Sequence, residues 1–489
     1  MVNSPHIISI HMLDDDSLLH IFYLFRPFLL GEGGDDYRNL DGGHEPWAQG
    51  RWWYRLVHVC QRWRKLILGS SSYLGLSLVC TNGTPVAYML EHSPPLPLTI
   101  DYRSENGISA EDEEGVYLAL EQRDRVRHLR LAFPVRSLRR FVLTIYEEFP
   151  ILEYLSMGPT MEDSANLKLP DTFQAPNLHH LKLRGFACPK PPRFHPTEMG
   201  LSTLYLTINH PSAYFQPNVL LRWISFMPQL ETLAILFTFP VPNRDVKRQL
   251  THTPNTTYIT LPSLRLFWFR GVSAYLEAVI GRLTTPLLED LHIQFFEELT
   301  LSVPCLPQFM NTTENLIFDR ATLDFTDEQI KLVMLSREAK TRSLVASVDC
   351  WHLDWQVFFV AQICNSLGQV FSPLEHLALR HKVHSLSSGV HNDVDRIEWR
   401  NFLRSFSNVR TLSVEDGLVE GLSRCLRLED GERPLELLPE LHELTYFGSC
   451  NVDNAFSSFI DSRRDAGRPV DLIVPMRYRK SSYPGQLLP

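Results

Sequence analysis

A chain of 489 residues, 44% hydrophobic and 21% charged, has apolar material for a sizeable core and room for two to four average domains or one long repeat array with a cap. A formal net charge of −9 supplies no global field for DNA, RNA or an anionic membrane, so neither a nucleic-acid nor a membrane partner is expected. The first predicted element is a helix from Leu13 to Phe25, with Leu18, Ile21, Phe22 and Phe25 on one face. Asp14 to Ser17 offer it an N-cap and an acidic first turn, and Arg26-Pro27 stops it. The Gly/Asp-rich stretch 31–50 suits neither helix nor strand. A second helix follows, in which Trp52, Leu56, Val59, Cys60, Trp63, Leu66 and Ile67 fill one apolar arc and Arg51, Arg55, His58, Arg62 and Lys65 form an opposite basic stripe. Residues 72–80 and 94–100 alternate like two strands, and the acidic stretch 105–114 is the best boundary before the long remainder.

From Val126 onward a short unit recurs: apolar-x-x-apolar-x-apolar, often with proline two residues ahead. It reads Pro150-Ile-Leu152-Glu-Tyr-Leu155-Ser-Met157, then Pro176 to Leu183, Pro228 to Ile235, Pro262 to Phe269, Pro286 to Ile293 and Pro439 to Tyr446. Members without the proline include Leu201-x-x-Leu204-x-Leu206, Leu374-x-x-Leu377-x-Leu379 and Val409-x-x-Leu412-x-Val414. The bare pattern would arise on the order of ten times by chance, whereas the proline-led form would arise roughly once, so these six are a signal. From Leu155 through Leu181, Leu204, Leu233, Phe267, Leu291 and Leu316 the steps are 26, 23, 29, 34, 24 and 25 residues. That spacing is near the 20 to 29 residues of leucine-rich repeats, and helical patterns at 219–226, 355–367 and 399–406 fill several gaps. The predicted fold class is α/β: a small helical domain, then an irregular solenoid with short parallel strands on its concave side and helices and loops on its convex side. The domains are expected at 8–70, with the insert 31–50, then 71–115 as connector and capping strands, 116–475 as the array and 476–489 as a tail.

The pattern Leu13-x-Asp15-Asp16-x-Leu18-Leu19-x-Ile21-Phe22, followed by Trp53-x-x-Leu56-Val57-x-Val59-Cys60-x-Arg62-Trp63-Arg64, resembles the F-box in the variant common in mushroom-forming fungi. The segments 80–86, 271–280 and 285–296 are similar to that family as well, which extends the resemblance over most of the chain. The resemblance implies docking on the small acidic adaptor subunit of cullin-RING ubiquitin ligases. Leu13, Leu18, Leu19, Ile21, Phe22, Leu56, Val59, Cys60 and Trp63 become the docking or internal-packing candidates. Asp14 stands where the family usually has proline, which removes a rigid first-turn contact and implies weaker docking than is usual, and the insert 31–50 lengthens the link between the two halves at little entropic cost.

Eight cysteines lie scattered, none two residues from another, as buried thiols of a reducing cytoplasmic or nuclear compartment would. No secretory signal and no run of about 18 apolar residues is read. No nucleophile elbow, P-loop, metalloprotease helix or dinucleotide fingerprint occurs, and Gly31-Glu-Gly33-Gly34 leads into Asp35-Asp36, which would repel a phosphate. His376, His381, His384 and His391 lack the cysteine or paired acid that a metal site needs. The expectation is a non-enzymatic adaptor with no cofactor and no metal, its F-box on the ligase adaptor and its array on a protein target. The target-binding candidates are Lys182, Tyr205, Trp268 and His292, which lie between the last two apolar positions of their units and so point away from the buried side. A non-degradative repeat scaffold and an enzyme with an unrecognised pocket are the rival readings.

Overall fold

The computed structural model of the chain describes residues 10–26, 51–160, 166–187, 200–240, 258–297, 301–313, 315–336, 342–368, 370–382, 396–428, 433, 435–447 and 455–473. It divides into two compact units, Met1–Phe215 and Gln216–Pro489. Both are mixed α/β, each built on a large, mostly parallel sheet that does not close on itself. The expected insert 31–50 and tail 476–489 lie outside the described residues, as do His384 and His391.

The first unit begins with three short helices, α1 (Asp15–Leu24), α2 (Trp52–Leu56) and α3 (Gln61–Gly69). Six strands follow, in sheet order equal to sequence order: β1 (Leu78–Thr81), β2 (Leu98–Arg103), β3 (Val126–Ala132), β4 (Tyr154–Gly158), β5 (His180–Arg184) and β6 (Thr203–Ile208). Every pairing among them is parallel. Helices α4 (Val86–His92), α5 (Ala110–Glu121) and α6 (Val135–Thr144) form the first crossovers.

The second unit holds β7 (Thr232–Phe237), β8 (Ile259–Thr260), β9 (Leu266–Gly271), β10 (Leu283–Thr284), β11 (Asp290–Phe295), β12 (Arg320–Thr326), β13 (Gln329–Leu335), β14 (Ser343–Asp349), β15 (His376–Lys382), β16 (Thr411–Glu415), β17 (Glu443–Phe447) and β18 (Asp471–Ile473). Its sheet runs β7-β9-β11-β14-β13-β12-β15-β16-β17-β18, while β8 and β10 pair apart. The expected all-parallel array is corrected here, because β13 runs antiparallel to both β12 and β14. Its sequence, Gln-Ile-Lys-Leu-Val-Met-Leu, buries Ile330, Leu332 and Met334 on alternate positions, which a hairpin supplies without a crossover helix.

Each recurrent unit becomes a turn and a strand. In the unit Leu178-x-x-Leu181-x-Leu183 the first leucine packs below the turn and the other two face inward from β5, and all three are buried. The residue after the first apolar position plays a part that periodicity does not show. Its carbonyl accepts two successive backbone N–H groups from the unit that follows: Glu153 from His179 and His180, His179 from Ser202 and Thr203, Arg265 from Glu289 and Asp290, Glu375 from Arg410 and Thr411. Strand entry is thus fixed by the main chain, and the backbone donors ahead of each strand are satisfied. The side chains there alternate in sign across neighbours, giving ion pairs Arg127–Glu153 (3.3 Å), Arg265–Glu289 (2.9 Å) and Arg410–Glu375 (3.3 Å).

Candidate functional site

The N-terminal helices supply the first candidate surface. Asp14 caps α1 by accepting the Ser17 N–H at 2.7 Å, and that bond holds its carboxyl pKa below the usual carboxylate value. The expected single helix across 51–67 is corrected to two. The chain turns at 57–60, the backbone of Cys60 is extended, and its sulfur accepts the Trp63 N–H at 3.5 Å to start α3. The apolar arc continues across the break because both short helices pack on the same core, which is why periodicity alone joins them. The break also turns Trp53, rather than Trp52, into the interior.

Two members of the basic stripe are stapled to the rest of the module. Arg62 holds the Asp15 carboxylate from Nε and Nη2 at 3.0 and 2.7 Å and donates to the Leu13 carbonyl at 2.6 Å, tying α3 to the start of α1. Arg51 reaches the Val79 carbonyl and the Thr84 hydroxyl, tying α2 to the first strand.

The nine predicted docking residues divide by burial. Leu18 and Phe22 are fully inside, where Phe22 meets Trp63 edge to face at 4.8 Å; they pack the module. Leu13, Leu19, Ile21, Leu56, Cys60 and Trp63 are half-buried, and Val59 is 57% exposed. Phe25, expected on the same face as Leu18, Ile21 and Phe22, is the C-cap of α1 and is instead 68% exposed. Exposed as well are residues that the sequence reasoning missed: Met12 at 75% and Leu24 at 61%, with Ile10, Tyr23 and Tyr73. No other stretch of comparable length among the described residues presents as many large apolar side chains to solvent. The available signal was that α1 carries apolar residues at 21 to 25 without interruption, more than one buried face can use.

The open faces of the sheets hold the second set. Lys182 on β5 lies opposite Tyr205 on β6, its Nζ 4.7 Å from the ring centroid. Trp268 on β9 lies opposite His292 on β11, with rings 6.1 Å apart. Each pair belongs to its own unit. Lys182, Trp268 and His292 are half-buried, whereas Tyr205, expected as an exposed anchor, is only 9% exposed.

Thiol and cavity chemistry is spare. Burial pushes the Cys80 thiol up to about 12 and Cys305 to about 11, and raises Cys350 and Cys364, so these sulfurs stay protonated at neutral pH. A surface cavity of about 700 Å³ is lined by Pro304, Pro307, Gln308, Asn311, Thr312, Asn365, Ser366 and Gly368, none of them ionisable. Among the described residues no group of three or more His, Cys, Asp or Glu is placed to hold a metal ion, and no helix is long and apolar enough to cross a membrane. No family model matches the chain, and no curated protein matches it.

Proposed function

We propose that the chain is a substrate-recognition adaptor of a cullin-RING ubiquitin ligase: the N-terminal helices dock on the ligase adaptor subunit and the strand-and-helix array presents a protein target. In this reading it has no chemistry of its own and works by positioning. The observation that carries it is the concentration of exposed Met12, Leu24, Phe25 and Val59 on a helical module whose interior, Leu18 and Phe22, is already complete. Apolar side chains that the fold leaves uncovered, on a module closed by the Arg62–Asp15 staple, mark a surface for a partner rather than an unfinished core. The sequence order of the F-box resemblance falls on the same helices, and the array is read as irregular leucine-rich repeats.

The test is co-purification of the ligase adaptor subunit with the full chain. Leu24→Asp with Phe25→Asp is expected to abolish capture while moving the melting temperature by less than about 2 °C, as surface substitutions do. Retained capture by the folded double variant would sink the docking claim.

A further inference from the structure

Two tryptophans stand in water where β14 gives way to the helix that follows it. Leu344, Ala346, Val348 and Cys350 point inward at alternate positions along and just past β14, so Trp351 takes the next outward position and is 70% exposed. Trp355, in the first turn of the helix Leu353–Ser366, is 42% exposed and meets the half-buried Phe358 edge to face at 5.7 Å. The backbone that carries them is locked. The Cys350 N–H donates to the Glu328 carbonyl at 2.8 Å, and the buried Gln356 side chain donates to the Thr326 and Cys350 carbonyls, each at 2.8 Å. Exposed apolar residues are ordinary when scattered singly, but two indoles four residues apart on a fixed backbone make a surface prepared for contact.

The strands on either side supply one sign of charge. Phe295 at the end of β11 is in register with Val348, which carries the chain on to Glu297 beside Cys350. Gln329 at the start of β13 is in register with Asp349, which brings Asp327 and Glu328 to the other flank. Asp354 adds a carboxylate in the first turn of the helix. Residues 296–297, 326–329 and 350–356 thus hold four acids and no lysine or arginine. Glu297 and Glu328 are exposed, and burial raises the Cys350 thiol with the Glu297 charge adding to the rise. Arg270, which also reaches this edge of the sheet, is already held by Asp349 at 3.0 Å.

We propose that this rim binds an arginine-bearing segment of a partner protein, a guanidinium lying over the Trp351 indole with Glu297 or Glu328 accepting its N–H groups. Arginine fits both features at once: its planar head stacks on an aromatic face and presents a fork of donors to a carboxylate, whereas a lysine ammonium is compact and more strongly hydrated. Nucleic acid or an anionic membrane would meet like charge here, and a purely apolar partner would desolvate the carboxylates without replacing their hydrogen bonds. The rim is made from the second unit's own strands and helix, so the proposal goes beyond the ligase reading and stands whether or not the N-terminal helices meet an adaptor.

The full chain is titrated by fluorescence anisotropy with a labelled Arg-Thr repeat decapeptide and with the matching Lys-Thr and Gln-Thr peptides. The Arg-Thr peptide is expected to bind about fivefold or more tighter than Lys-Thr and to weaken about tenfold between about 50 and about 500 mM salt, with no binding of Gln-Thr. Trp351→Ala should weaken Arg-Thr binding about fivefold or more, and Trp351→Phe should retain most of it. Glu297→Gln with Glu328→Gln should weaken it to a similar degree, about fivefold, and tests the rim independently of the indole. Glu111→Gln with Glu114→Gln, the same charge change on the exposed face of α5, should leave it unchanged. Circular dichroism checks that each variant is folded. No binding of Arg-Thr, equal binding of Lys-Thr or Gln-Thr, unchanged affinity of a folded Trp351→Ala chain, or an equal loss in the α5 pair would overturn the proposal.

Discussion

At the scale of single residues, three side chains show how position rather than type sets the outcome. Phe22 is closed in against Trp63, so Phe22→Ala should cost about 3 to 5 kcal/mol of stability, read by urea denaturation. Three positions on, Phe25 is exposed, and its removal should register in partner capture and hardly in stability. His128 on β3 is held neutral chiefly by burial, aided by the nearby Arg127 and His180 charges, with its pKa pushed down to about 4 from the ordinary 6.5. A lowered folded-state pKa means that the unfolded chain takes up the proton first. The His128 contribution is therefore complete above pH 6.5 and is lost as pH falls from 6.5 towards 4. Denaturation at pH 7.5 and pH 5 should differ by ~1 to 2 kcal/mol from this group, and His128→Asn should flatten that difference. Asp14 explains a departure that sequence alone reads as a loss: where the resembled family has proline, this chain has a cap on α1. Its stabilisation is present above the ordinary carboxylate pKa and fades as pH falls below it.

At the scale of elements, strands were legible and breaks were not. Two inward residues per strand, preceded by a buried residue under the turn, reproduce the 1-4-6 pattern wherever a strand enters from a turn, so the units at 150–157, 176–183, 262–269 and 286–293 all mark β-strands. Antiparallel β13 escaped because it lacks the turn-borne first apolar residue and alternates evenly. Helix α5 runs through part of the acidic stretch expected as a boundary; Ser109 and Asp112 exchange cap hydrogen bonds at its start, a signal present in the sequence as Ser-x-x-Asp. Close strand packing makes its own demand at β4. Gly158→Ala would force the new methyl against Arg184 on β5 and should destabilise by ~1 to 3 kcal/mol, visible as a lower melting temperature. Of the candidate site, the helices and their residues were readable, yet the exposed end of α1 was not, because periodicity ranks residues by face and does not say where a helix stops.

At the scale of the whole molecule, the division into two compact units is testable as two separate unfolding transitions. Trp47, Trp52, Trp53 and Trp63 belong to the first, while Trp223, Trp268, Trp351, Trp355 and Trp399 belong to the second. Urea titration followed by tryptophan fluorescence in variants that keep only one of these sets should show transitions at different denaturant concentrations. Coincident transitions with matching slopes would show one cooperative system. The α/β class was readable because the repeat recurs at intervals of a strand plus a crossover; which outward side chains come to share a face was not, since neighbouring strands bring together residues far apart in sequence. The doubled acceptance at each strand entry carries a last consequence. Because the anchoring atoms are peptide carbonyls, any residue can occupy that position without loosening the join, and the crossover behind it is free to lengthen or shorten. Selection can therefore redraw the outward side chains of one unit at a time while the units on either side keep their places.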